Sequence, residues 1–324
     1  MSFDLYADLA GQSKCPDSAE LPAGLASGFV DGCTTWFARG ELEADKKAGT
    51  QKKNDARNCY IKQAVTARLL PDEVAKLIDM RVRIPQLGWL AIEVSFTLQT
   101  PWYSKDDRLF HVLDNPVRKD PVFGVPYMSA ASWKGVLRWA CRMQAGLREH
   151  LSNGKRFEDW NDPGWILHLF GNEKRKGQDF HQGASVFYPT WFDKIGFEVI
   201  NPHDRRRPAG TQPILYEVVP GRRPKADNPQ ELEDGGKGSL RLLYAPLPGA
   251  KQTAQRADFL PRLLEAIEQL LTKYGISAKR TVGWGTAEIT TWRGWLKEQE
   301  PIEATSREEF QKQLEERLQA EGAR

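Results

Sequence analysis

The sequence predicts an α+β protein, a ferredoxin-like (RRM-like) sandwich with large insertions. Three observations predict it. Leu90, Ile92, Val94, Phe96 and Leu98 alternate strictly with Ala91, Glu93, Ser95 and Thr97, the two-residue period of a strand with one face on a core. Val136, Leu137, Ala140, Met143, Leu147 and Leu151 recur at helical spacing, as do Phe259, Leu263, Ile267, Leu270 and Leu271 further on. The order of the pieces is strand, helix, strands, helix, strand, which is that of the ferredoxin-like sandwich.

The 324 residues are 40% hydrophobic and 10% aromatic, enough for a sizeable core and against disorder. Lys+Arg number 46 against 43 Asp+Glu, a net +3. So near a balance leaves any case for nucleic acid to local clusters. The first residues have neither a basic start nor an apolar run, and no stretch approaches the roughly 18 apolar residues of a membrane span. A cytoplasmic protein with no membrane partner is expected. Cys15, Cys33, Cys59 and Cys141 are scattered without a C-x-x-C pair, so no zinc is expected, although the first three could meet in space. Cys141 reads as core.

Along the chain, residues 1–87 form an N-terminal extension of unassigned role. Its Lys-rich stretch 41–58 reads as a mobile loop. Val74, Leu77, Ile78 and Met80, after Pro71-Asp72, predict a short helix. The main domain runs over 88–292. Ser129 or Ser132 is placed to cap its first helix. Strands are expected at 184–192, 195–200, 239–245 and 284–292, with the second helix over about 257–274. The segment 293–324 is a C-terminal helix, polar and superficial, opened by the capping-box spacing of Ser306 and Glu309.

Four clusters carry possible chemistry. A Pro-bounded loop presents Asp114, Arg118, Lys119 and Asp120, then turns at Gly124 and Pro126 into a helix bearing Ser129, Ser132 and Lys134. A helix N-terminus suits a phosphate, and Lys134 and Arg138 share one face at i and i+4. Phe170-Gly171, Lys174–Lys176 and Gly183 to Phe187 form the second cluster. His203, Arg205, Arg206 and Arg207 sit in a Pro-flanked loop, a set suited to phosphates and to stacking on bases. Gly275-Ile276-Ser277 and Gly283-Trp284-Gly285 bracket Lys279 and Arg280; glycines let a backbone approach phosphates closely. Each cluster taken singly also reads as a solvated surface loop, and Trp284 as an anchor of its own turn.

Together, in this order, the clusters resemble the type III backbone proteins of the RAMP superfamily (repeat-associated mysterious proteins) of the Csm/Cmr kind. There a D-x-P-V-x-[RK]-[DN] loop leads into P-Y-I-P-G-S-S-L-K-G-x-x-R, and this chain has D-N-P-V-R-K-D followed by P-Y-M-S-A-A-S-W-K-G-V-L-R. The chain departs at Ser129-Ala130-Ala131-Ser132, where the family has P-G-S-S, and at Trp133, where it has an aliphatic residue. The 201–221 segment is similar to the family's protruding thumb, here about 201–238. The 274–289 segment resembles its G-h-G-x-x-x-x-x-G-h-G loop, with Ser277 for one glycine. The resemblance extends from about Gly88 to Thr290.

The resemblance implies a crRNA-binding subunit of a type III CRISPR effector complex. Asp114 would cut complementary target RNA with Mg²⁺ or Mn²⁺, the neighbouring 2′-OH being the nucleophile. RNA would be held by Arg118, Lys119, Ser129, Ser132, Trp133, Lys134, Arg138, His203, Arg205, Arg206, Lys279, Arg280, Gly283, Trp284 and Gly285. Implied partners are crRNA, target RNA, a Cas10-type large subunit, a small subunit and other RAMP proteins. Two alternatives stay open, a non-catalytic capping or architectural subunit and a crRNA-processing endoribonuclease.

Overall fold

The computed structural model describes residues 26–66, 69, 84–107, 111–120, 124–172, 180–202, 210, 212–225, 227–249 and 253–322. It begins with two helices, α1 (Ala26–Glu41) and α2 (Lys46–Thr66). Next come β1 (Leu90–Leu98), β2 (Tyr127–Met128), α3 (Ala130–Gln144), α4 (Leu147–Ser152) and α5 (Gly164–Phe170). The strands β3 (Ser185–Tyr188), β4 (Thr190–Trp191), β5 (Gly196–Ile200), β6 (Ile214–Val218), β7 (Arg223–Pro224), β8 (Leu232–Glu233) and β9 (Lys237–Tyr244) follow. The chain closes with α6 (Arg256–Gln269), β10 (Ala287–Trp295), β11 (Ile302–Ala304) and α7 (Arg307–Gly322).

Five strands form one antiparallel sheet in the order β11-β10-β1-β9-β3. The alternation read in the sequence sets its inner face: Leu90, Ile92, Val94, Phe96 and Leu98 are all buried, beside Leu240, Leu242 and Trp292. Against that face lie α3, through Trp133, Leu137 and Ala140, and α6, through Phe259, Leu263 and Ile267. Outward, Glu93 pairs across strands with Arg241 and Arg293, and Arg293 continues to Glu303 on β11. That face is therefore charged and internally neutralised.

Three expectations are corrected. The stretch 41–58 is no loop: Lys46–Thr66 is helical. Its buried positions Ala56, Tyr60 and Ala64 recur every four residues and pack with Cys33, Val112, Leu113, Val125 and Ile195 in a second core. The lysines serve the helical pair, Lys52 bonding Glu43 and Lys53 bonding Glu41 at 3.0 Å. The segment 293–324 is not one helix, since β10 runs to Trp295 and Ile302–Ala304 is a strand before the helix Arg307–Gly322. Nor is that helix superficial, since Phe310 and Leu314 are 0% exposed and Phe310 stacks on Trp292. Finally, the segment 184–192 is two strands, because Pro189 lies between Tyr188 and Thr190 and has no N–H to offer a ladder. The helix expected from Val74 to Met80 lies outside the described residues.

Candidate RNA-binding surface

The first helix of the main domain begins at the cap that the sequence predicts. Ser129 is in the extended conformation, and its Oγ accepts from the Ser132 N–H at 3.2 Å and lies 2.9 Å from Ser132 Oγ. From that start the helical period fixes every later side chain. Trp133 points inward and is 0% exposed; its Nε1 donates to Thr190 Oγ1 at 2.9 Å. The expectation of Trp133 on RNA is corrected by this burial. The same period turns Lys134 and Arg138 outward, both half-buried. Partial burial first, and the Arg138 charge second, hold the Lys134 ammonium below its ordinary pKa.

Arg138 is already engaged. It donates from Nε and Nη2 to Asp162 Oδ2 at 2.9 and 2.6 Å. Arg142 and Trp160 Nε1 complete the ring of donors around the same carboxylate. Burial alone raises the Asp162 carboxyl; the bonds from Arg142, Arg138 and Trp160 outweigh it and hold the group below the usual carboxylate range. Asp162 thus sets Arg138 in one orientation, with 22% of its side chain still exposed.

The Asp114 loop runs between the two cores. Val112 and Leu113 are buried, Asp114 is exposed, and Asn115 is tied to β6. Asp114 makes no hydrogen bond or ion pair with any described residue. Arg118, half-buried, bonds Asp107. Lys119 is corrected: its side chain is 1% exposed and its Nζ lies 2.5 Å from Glu217 Oε2, so it is closed to RNA. Among the described residues, no three His, Cys, Asp or Glu side chains gather where they could hold a metal ion.

The glycine loop folds back on itself. Gly275, Gly283 and Gly285 have φ of +76, +84 and +89°, the left-handed region. A Cβ on Gly275 would meet the Trp284 carbonyl oxygen at 2.5 Å, and one on Gly285 would meet Ser277 N at 2.3 Å. Ser277 replaces a glycine without loss, since its Oγ accepts from Tyr103 N–H at 3.0 Å within the core. Lys279 lies over the Tyr216 ring at 4.4 Å, and Tyr216 meets the half-buried Trp284 edge-on. Arg280 lies over Trp139 of α3 at 4.5 Å. Burial lowers the Arg280 pKa, and its Nη1 is shielded from solvent with no hydrogen-bond partner among the described residues.

These elements form one belt. The Asp114 loop is fixed to β6 through Glu217, β6 reaches the glycine loop through Tyr216, and that loop reaches α3 through Arg280. His203, Arg205 and Arg206 lie outside the described residues. Sequence reasoning missed Tyr60, Trp139, Asp162, Tyr216 and Glu217. The one signal in the sequence was Glu217 itself, a lone carboxylate inside the apolar run Ile214 to Val219.

The family model described as the RAMP superfamily matches residues 95–288, more than half of the chain and the whole of this belt. The chain belongs to the RAMP superfamily. No curated protein matches its sequence. Among solved structures, this RAMP protein is similar to a chain of the type III-B Cmr-beta complex bound to cognate target RNA. That match has 14% identity and a TM-score of 0.43, over 83% of this chain and 81% of the other. A chain of the Csm3-Csm4 subcomplex of the type III-A CRISPR-Cas interference complex matches at 15% identity and a TM-score of 0.41, over 72% and 98%.

Proposed function

We propose that this RAMP protein is a crRNA-binding subunit of a type III CRISPR effector complex in the cytoplasm, and that it cuts complementary target RNA at Asp114. The observation that carries this reading is the shared strand β6. It fixes the loop bearing the exposed Asp114 through Glu217, and it supports the cationic glycine loop through Tyr216. On this reading Asp114 acts on one RNA strand and the glycine loop holds another, and β6 keeps the two at a set spacing. The two cations of that loop, Lys279 and Arg280, each half-buried with part of the side chain at the surface, support the second half. Lys134, Ser129 and Ser132 at the start of α3, with Arg138, extend the same surface. The order β10-β1-β9-β3, with α3 and α6 in the crossovers, supports a ferredoxin-like reading of the core. The sheet itself is not the RNA platform, since its outer face is occupied by the Glu93–Arg241–Arg293 network.

A single carboxylate fits Mg²⁺ or Mn²⁺ only as one protein ligand beside RNA phosphates and water, a common arrangement for Mg²⁺. Asp114 would hold the ion, which would supply neutralisation of charge at the reacting phosphate. The chain's own contribution is to hold the target backbone with its 2′-OH in line.

The test uses the assembled complex with crRNA, complementary target RNA and Mg²⁺ or Mn²⁺, comparing wild type with Asp114→Ala. Cuts that vanish in the variant while target binding persists are expected. Persistence of every cut would make the chain a non-catalytic capping or architectural subunit.

A further inference from the structure

The residues around Asp114 are held from two directions. Upstream, Val112 and Leu113 are buried in the second core with Ala56, Tyr60 and Ala64 of α2, and the Val112 carbonyl accepts from Arg57 Nε at 3.3 Å. Downstream, the Asn115 carbonyl accepts from Glu217 N–H at 3.0 Å and its Nδ2 donates to Leu215 O at 3.2 Å. Glu217, 0% exposed, then divides its carboxylate. Oε2 accepts from Val117 N–H at 3.0 Å and from Lys119 Nζ at 2.5 Å, while Oε1 accepts from the Tyr60 hydroxyl. Between these attachments Asp114 alone is exposed. A buried ion pair is a costly way to stabilise a fold, since apolar residues of similar volume often do as well. What this set adds is a single geometry, because three donors from two parts of the chain converge on one buried carboxylate.

We propose that the N-terminal helical pair is a positioning element for Asp114, with Tyr60 as the positioning residue. Its hydroxyl fixes the rotation of the Glu217 carboxylate, which in turn fixes Val117 and Lys119 and so the direction of the Asp114 carboxylate. Tyr60 is 0% exposed and so closed to direct contact with RNA. The inference rests on the reading of Asp114 as the residue that acts on the target strand.

The test is Tyr60→Phe in the full chain, assembled with its partner subunits and crRNA; the ring that packs on His111 and Phe197 is kept. Removing one hydrogen bond to a charged group is worth about tenfold at the least. The Val117 amide should therefore exchange its hydrogen about tenfold faster, and target should be cut about tenfold more slowly at saturation with its affinity unchanged. A merely structural role would lower the melting temperature without separating rate from affinity. Unchanged exchange and unchanged cutting, with Asp114→Ala still inactive, would overturn the positioning role. If Asp114→Ala cuts normally, the reading of Asp114 fails by itself, and exchange at Val117 decides whether Tyr60 orders the loop. Should Tyr60→Phe melt α2, Arg57→Ala is the second variant. It frees Val112 with Tyr60 in place and should shift both readouts the same way by less; no shift in either overturns the proposal.

Discussion

Lys119 Nζ sits 2.5 Å from Glu217 Oε2, and neither side chain is more than 1% exposed. In sequence the two lie 98 residues apart. Nothing in the loop's own composition separates Lys119 from the exposed basic residues that an RNA surface requires. The partner that withdraws it belongs to a distant strand.

Breaking that pair should cost far more than replacing it. Glu217→Gln, which leaves a buried ammonium without its counter-charge, should destabilise the protein by about 3–5 kcal/mol. The double variant Lys119→Met, Glu217→Gln removes both charges while an amide oxygen remains to accept from Val117 N–H or the Tyr60 hydroxyl, and should recover a large part of that loss. Denaturant unfolding of both variants measures the difference.

Asp162 should contribute stability that acid removes. Its folded pKa lies below the ordinary value of 3.8, so the contribution is fully present above about pH 3.8 and is lost as pH falls through the folded value. Asp162→Asn should therefore be less stable than wild type at neutral pH, and the gap should narrow below pH 3.8. Thermal melts of both proteins across that range check it.

The cations that meet phosphate should be legible in the salt dependence of crRNA binding. Withdrawing one cation from a phosphate of a single strand makes the slope of log K against log salt shallower by about 0.7. Lys134→Ala and Lys279→Ala should each do so. Lys119→Met should leave the slope unchanged, because its side chain never meets solvent. Titrations at several salt concentrations distinguish the three.

Glycines at two positions should respond oppositely to alanine. At Gly135, exposed on α3, an added Cβ meets nothing within 4 Å. Gly135→Ala should stabilise the protein by about 0.5–1 kcal/mol. At Gly275 the φ of +76° and the nearby Trp284 carbonyl oppose any side chain, and Gly275→Ala should destabilise by more than about 1 kcal/mol. Melting temperatures of the two variants give the signs.

How much can be read from the sequence depends on how local its cause is. The strand Leu90–Leu98 is legible because a two-residue period is written in adjacent letters. The cap at Ser129 is legible for the same reason; Trp133, expected on RNA, instead turns inward in phase with Leu137 and Ala140. The helix Lys46–Thr66 is not legible. Its buried seam is Ala56, Tyr60 and Ala64, too little apolar volume to stand out among lysines, and those lysines are neutralised by Glu41 and Glu43 outside the helix. Phe310 and Leu314 are likewise hidden by the polar residues between them. Within the site, Asp114, Lys279 and the glycines are visible as types and spacing. Glu217, Tyr216 and Trp139, which hold them, are not, because each acts between distant parts of the chain.

The Tyr60–Glu217 bond spans 157 residues, and that span has a consequence during synthesis. A ribosome adding roughly 5–20 residues per second needs on the order of ten to thirty seconds between making the donor and making its acceptor. Through that interval Trp36, Phe37 and Tyr60 have no strand to cover them, and the second core closes only after β6 has emerged. The N-terminal helices are made first and finished late. A stall between residues 66 and 217 would therefore expose an apolar helical face, one that a chaperone or a protease would meet before any RNA did.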